Sequence, residues 1–200
     1  MSGFLTYAND IVDYNHIHPV LCSANNILNY IEHDWGSGKK YAFMAELRNR
    51  LLRSVSFTHD LIEDCLFLSL DSDIILHPDT IKNMLETLTT DKRGFAAVGG
   101  RTYMSKNYKI PSYANFTRYG NTRRDDQAGI FKVDVIMGIK LMYVSHLHSL
   151  RYSDHRQGED FGFAENAKEL GLKFGYDGRV ISKHVMETYQ LLLVDPRVGF

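Results

Sequence analysis

The residues with the clearest chemical potential are Asp71 and Asp73, two carboxylates separated by Ser72 at the end of the apolar run Cys65-Leu66-Phe67-Leu68-Ser69-Leu70. In an extended segment, side chains two apart point to the same face, and the carboxyl ends of strands in an α/β sheet are where ligands bind. Two carboxylates there suit a hard divalent cation, Mg2+ or Mn2+, which is commonly shared between one or two carboxylates and substrate phosphates. The plainer alternative is that both aspartates cap the following turn, as aspartate often does. The run before them weighs toward a ligand, because an apolar segment aimed at two carboxylates demands a reason. Arg48 is the second position of interest. It lies inside the apolar stripe Tyr41, Met44, Ala45, Leu51, Leu52, Val55, where a charge must reach a wet cleft or a partner. A diphosphate, an acidic side chain and a buried pair with Asp or Glu would each satisfy it.

Elements must position these groups. The stripe predicts a helix from about Lys39 to Ser56, after Gly36-Ser37-Gly38. The run Cys65 to Leu70 has the length and composition of a central parallel strand. Pro78-Asp79 opens a helix with Ile81, Met84, Leu85 and Leu88 at helical spacing. Phe95-Ala96-Ala97-Val98 is a second buried strand, closed by Gly99-Gly100. From Arg101 to Gly129 the chain is polar and aromatic with little periodicity, a long excursion of the kind that shapes a binding pocket. Phe131 to Val144 is rich in strand formers, and Gly138 in its middle permits close approach of ligand or backbone. Gly158-Glu159-Asp160 precedes a helix from Phe161 to Leu170, ended by Gly171, and Asp160 there has an ordinary use as a helix cap. Phe174 to Ser182 is a last strand leading to Lys183-His184. Upstream, Phe4 to Tyr7 reads as a short strand and Ile17 to Ile31 as loosely helical. Alternating strands and helices predict an α/β layered sheet, and with four prolines and no linker composition the 200 residues read as one domain.

Composition excludes several classes. At 44% hydrophobic the chain can bury a substantial core without disulfides. Its 23 basic residues against 24 acidic ones leave no overall field toward nucleic acid or an anionic membrane. No stretch has the roughly 20 apolar residues of a spanning helix. Cys22 and Cys65 have no CxxC spacing, which fits reduced thiols and a cytoplasmic setting. The histidines His146, His148 and His155 have no tight metal-ligand spacing.

With these residues in view, Leu66 to Pro78, LFLSLDSDIILHP, resembles the DXD segment of GT-A glycosyltransferases, above all the large inverting family with many bacterial and viral members. Other blocks agree in order. Glu46-Leu47-Arg48-Asn49 resembles the arginine-asparagine helix before the DXD strand. Val133 to Val144 with Gly138 resembles the strand carrying a small residue near the donor sugar. Gly158-Glu159-Asp160 resembles the acidic motif opening the next helix, and His184 matches a late histidine. The resemblance spans roughly residues 36 to 186 and implies a GT-A, Rossmann-like fold acting on a nucleotide-sugar donor and an acceptor glycan, lipid-linked group or protein.

It also implies roles. Asp71 and Asp73 are the metal pair, His184 the third ligand and Asp160 the catalytic base, with Glu159 second in line; Arg48, Asn49, Asp71, Ser72 and Gly138 line the donor site. The cofactor implied is Mn2+ or Mg2+. The chain departs from the family at its start, where only Gly3-Phe4-Leu5-Thr6-Tyr7 stands in for a strong first strand and its base-holding turn. Rival readings are a metal-dependent nucleotidyltransferase or phosphohydrolase, and a catalytically inactive binding domain of the same fold. The first lacks any GxxxxGKS loop or DxDGT-like segment, since Ile74-Ile75 follows the acidic pair.

Overall fold

The computed structural model describes residues 40–59, 65–71, 73–103, 116–118, 121–122 and 129–185. By contacts the chain divides into Met1–Trp35 and Gly36–Phe200, and everything described belongs to the second part. The elements expected at Phe4 to Tyr7 and Ile17 to Ile31, the Gly36-Ser37-Gly38 segment, Cys22, Ser72 and most of the stretch from Arg101 to Gly129 lie outside the described residues.

Helix α1, Lys40–His59, forms where the apolar stripe predicts it. Ala45, Leu52 and Val55 are buried on it, with Leu51 packed alongside. Strand β1, Leu66–Leu70, and the short β2, Ile74–Leu76, flank the acidic pair. Helix α2 is Thr80–Thr90, and β3 is Ala97–Tyr103. Two small strands, β4 at Phe116–Arg118 and β5 at Asn121–Thr122, make a separate antiparallel ladder. Then come β6, Ile130–Val133, and β7, Ile139–Tyr143, followed by a 3-10 turn at Val144–His146. Helix α3 is Glu159–Glu169 and β8 is Phe174–His184.

The main sheet has the order β1-β7-β3-β8-β2, with β6 also paired to β8. β3 and β8 are parallel, and the other pairings are antiparallel, so the described part is a mixed α/β domain. Alternating strand residues feed two cores. Ala97, Met142, Phe174 and Tyr176 pack with α1 and α3, whereas Val98, Ile139, Leu141 and Val180 pack with Met84 and Leu88 of α2. Helices therefore cover both faces, the layering that buries a sheet's two apolar sides.

Three expectations change. β1 is not a central parallel strand: among the described residues it stands at one end of the order, antiparallel to β7. An apolar run reports burial, while strand direction and place depend on partners distant in sequence. β3 is not closed by Gly99-Gly100 but continues through them to Tyr103. A Cβ on Gly100 would stand 2.2 Å from Val180 Cγ1 and 2.6 Å from the Val180 carbonyl oxygen, so here glycine allows strand contact rather than ending a strand. On α2 the buried face is Thr80, Met84, Thr87 and Leu88, whereas Ile81 and Leu85 are exposed. Hydrogen bonds turn the helix. The Thr80 hydroxyl donates to the Ile181 carbonyl at 2.6 Å, and the Thr87 hydroxyl to Asp177 Oδ2 at 2.5 Å.

The sheet curls at one end. β1 and β2 lie at opposite ends of the order, which at about 4.8 Å per strand separates them by about 19 Å in a flat sheet. The segment from Leu70 to Ile74 spans about 14 Å at most. The β3–β8 register breaks between Gly100 and Arg101, and a bulge of this kind bends and twists a strand. With β1 and β2 at opposite ends of the order and joined by so short a segment, the sheet is not flat, and the β1–β2 junction spans its two ends.

Candidate functional site

At that junction the Ile74 N–H donates to the Asp71 carbonyl at 3.1 Å, closing a turn over residues 71 to 74. The segment is not extended, and the two aspartates have different partners, which corrects the same-face expectation. The Asp71 N–H donates to the Gly138 carbonyl at 3.1 Å, and the Ile139 N–H folds back to Met137 O at 2.8 Å. Gly138 is thus the centre of a γ-turn at φ +74, a conformation that favours glycine. A Cβ there would meet Ile74 Cδ1 at an ordinary 3.5 Å. Backbone conformation, rather than close approach, calls for glycine.

Asp73 meets His184. β2 pairs with β8 so that Ile74 faces His184, and the Val185 N–H donates to the Asp73 carbonyl at 2.8 Å. His184 Nε2 then lies 3.3 Å from Asp73 Oδ2, with side-chain exposures of 22% and 47% that leave the pair open to a ligand. His184 is the last residue of β8, not a residue beyond it. Its Nδ1 is buried with no hydrogen-bond partner among the described residues.

Asp71 is drawn the other way. Arg48 on α1 donates from an Nη to Asp71 Oδ1 at 2.8 Å and from Nε to Glu159 Oε1 at 3.1 Å. Of the partners its place in the stripe allowed, the structure has acidic side chains. The guanidinium also stands 5.5 Å from the centre of the Tyr152 ring. Burial works to lower the Arg48 pKa, yet Asp160, Tyr152, Asp71 and Glu159 together raise it above its ordinary value.

Glu159 and Asp160 open α3, one residue pair earlier than expected. The cap position belongs to Gly158, and no side chain caps the helix. Asp160 instead accepts a hydrogen bond from Lys140 Nζ at 2.7 Å. Lys140 sits on β7, fully buried, with Tyr152 and Phe163 ring centres 5.8 and 5.9 Å from its ammonium. Its burial pulls the pKa down, but Asp160 and Tyr152 outweigh that and raise it, against opposition from Arg48. Lys140 therefore remains a cation, in the one arrangement that makes a buried ammonium tolerable, against a carboxylate.

Asn49 faces inward to the scaffold. Its amide donates to the Tyr152 carbonyl at 2.9 Å and accepts from the Tyr152 N–H at 2.7 Å. That pair of hydrogen bonds to backbone fixes the loop carrying Tyr152, whose ring stacks on Phe163 with centres 4.4 Å apart. Ser72 lies outside the described residues. The structure thus joins Asp71, Arg48 and Glu159 in one network, Asp73 and His184 in a pair, and Asp160 with Lys140 in another. Lys140 and Tyr152 escape a search for acidic motifs. Lys140 carries the signal that marks Arg48, a charge in an apolar segment, here Ile139-Lys140-Leu141-Met142.

The donor set suits a hard cation in part. Adjacent ligands of an octahedral ion with bonds of about 2.1 Å stand about 3 Å apart, close to the separation of Asp73 Oδ2 and His184 Nε2. Among the described residues no three His, Cys, Asp or Glu converge as a complete metal cage. A single carboxylate such as Asp73, with the remainder from substrate phosphate and water, is within the usual manner of holding Mg2+.

The fold and site together define a mixed α/β domain with a charged cluster where β1 crosses to β2. Among the described residues no helix is long and apolar enough to cross a membrane. In comparison with known proteins, the chain matches no family model and no curated protein.

Proposed function

We propose that this chain is a metal-dependent glycosyltransferase of the GT-A type, moving a sugar from a nucleoside-diphosphate sugar to an acceptor hydroxyl with inversion. The observation that supports it most is the meeting of four distant segments: the β1–β2 junction with Asp71 and Asp73, Arg48 on α1, Glu159 and Asp160 opening α3, and His184 ending β8. They are segments on which the sequence resemblance rests. Asp73 and His184 would hold Mn2+ or Mg2+, whose chemistry when bound is Lewis-acid relief of the charge building on a departing diphosphate. Asp160 is the candidate base for the acceptor hydroxyl. Its Oδ1 is held by Lys140, so the proton falls to Oδ2, and such assistance contributes about 10² to 10⁴-fold. Glu159, tied to Arg48, orients the start of α3 beside it.

The test is thermal stability against a panel of nucleoside diphosphates, with and without Mn2+. A nucleotide at 100 times its dissociation constant should add about 2.7 kcal/mol, only with the cation and not in Asp73→Asn. Equal stabilisation without cation would refute the metal assignment. One observation favours a second reading, a binding domain without turnover: the Asp160 side chain is only 7% exposed and already paired with Lys140. Cation-dependent binding with no sugar transfer across a donor and acceptor panel would decide for it, and phosphate release without acceptor would point to a hydrolase.

A further inference from the structure

We propose that Arg48 is a positioning residue that keeps Asp71 out of the cation's coordination sphere, so that the two aspartates flanking Ser72 do different work. The inference rests on the reading of Asp73 and His184 as cation ligands and deepens it. Arg48 holds Asp71 Oδ1 at 2.8 Å and Glu159 Oε1 at 3.1 Å, from a side chain only 14% exposed. The turn over residues 71 to 74 separates Asp71 from Asp73 by giving them different partners. A guanidinium presents its donors in a fixed planar fork, and both of the arms described here end on carboxylates. Asp71 is therefore already neutralised by a permanent counter-charge that metal would have to displace. Of the cluster's four carboxylates, Asp71 and Glu159 face Arg48, Asp160 faces Lys140, and Asp73 faces His184. Without Arg48, Asp71 would be released as a third ligand.

Mn2+ affinity, read by the paramagnetic resonance signal of the free ion, needs neither donor nor turnover. Asp71→Asn should leave the dissociation constant within about threefold of the parent, whereas Asp73→Asn should raise it by at least about tenfold, since affinity follows ligand charge count. Arg48→Met should tighten Mn2+ by about tenfold or more, and adding Asp71→Asn to it should return affinity toward the parent. Arg48→Lys, which keeps the charge but not the fork, should fall between. A merely structural arginine would lower stability without tightening the metal. If Arg48→Met fails to fold, the Asp71→Asn and Asp73→Asn pair decides alone. Equal loss of Mn2+ in those two variants overturns the role of Arg48 and leaves the cation site standing. A parent chain that binds no Mn2+ overturns the cation site, and this inference with it.

Discussion

Lys140 and Asp160 form the most deeply placed ion pair described, with side-chain exposures of 0% and 7%. Removing one partner of such a pair strands a buried charge and typically costs about 3–5 kcal/mol, while removing both is often close to neutral. Lys140→Met is therefore expected to lose stability on that order, and Asp160→Asn somewhat less, because asparagine still accepts a hydrogen bond. The double variant should recover much of the loss. Urea unfolding of the four proteins measures the coupling, and additive effects within about 0.5 kcal/mol would mean that the pair is not an energetic unit. His146 offers a pH test. Burial lowers its pKa below the ordinary imidazole value, so the unfolded chain takes up a proton first as pH falls. Its contribution is absent at pH 8 and becomes destabilising below about pH 6.5. The melting temperature of His146→Gln should accordingly fall less between pH 7.5 and 5.5 than that of the parent; equal falls would dismiss the assignment.

The elements are held in place by polar anchors as much as by apolar stripes. α2 displays Ile81 and Leu85 to solvent and buries Thr80 and Thr87, because the Thr87 hydroxyl is hydrogen-bonded to Asp177, a fully buried carboxylate also held by Arg179. Thr87→Val keeps shape and removes that donor, and a loss of about 1 kcal/mol is expected from the missing hydrogen bond, since Asp177 Oδ2 keeps its Arg179 partner. Leu85→Glu should stay within about 0.5 kcal/mol, as exposed substitutions do. If chemical denaturation ranks the two in the reverse order, the helix is turned the other way. At the β3–β8 crossing, Gly100→Ala has no room, since the new carbon meets the Val180 side chain and backbone. A loss of about 1–3 kcal/mol should appear in the same assay, together with weakened Mn2+ binding if the curl of the sheet is what brings β2 to the strand ends. Unchanged metal affinity in a folded Gly100→Ala chain would separate the curl from the site.

At the scale of the whole molecule, the cluster links segments 23 to 111 residues apart, since Arg48 meets Asp71 and also Glu159. A ligand bound there should slow backbone hydrogen exchange together in the middle of α1, the β1–β2 junction, the start of α3 and the end of β8, while the exposed side of α2 stays unchanged. Protection confined to one of those segments would refute a shared site. How much of this was legible beforehand differs by residue. The stripe of α1, the apolar run of β1 and the strand before His184 follow from periodicity and side-chain type, because burial of one face needs only local spacing. The chemical suspicion around Asp71, Asp73 and Arg48 follows likewise, because a charge beside apolar residues must be compensated. Which partner compensates each charge is not local information. Asp71 turns to Arg48 and Asp73 to His184 because the chain bends at residue 71 and β2 pairs with β8, and Asn49 goes to the Tyr152 backbone because α1 packs against that loop. The sequence by itself determined where the apolar faces and the charges lie; only the tertiary structure decided which charges meet, because strand order, the register break at Gly100 and the turn of α2 arise from contacts between segments far apart along the chain.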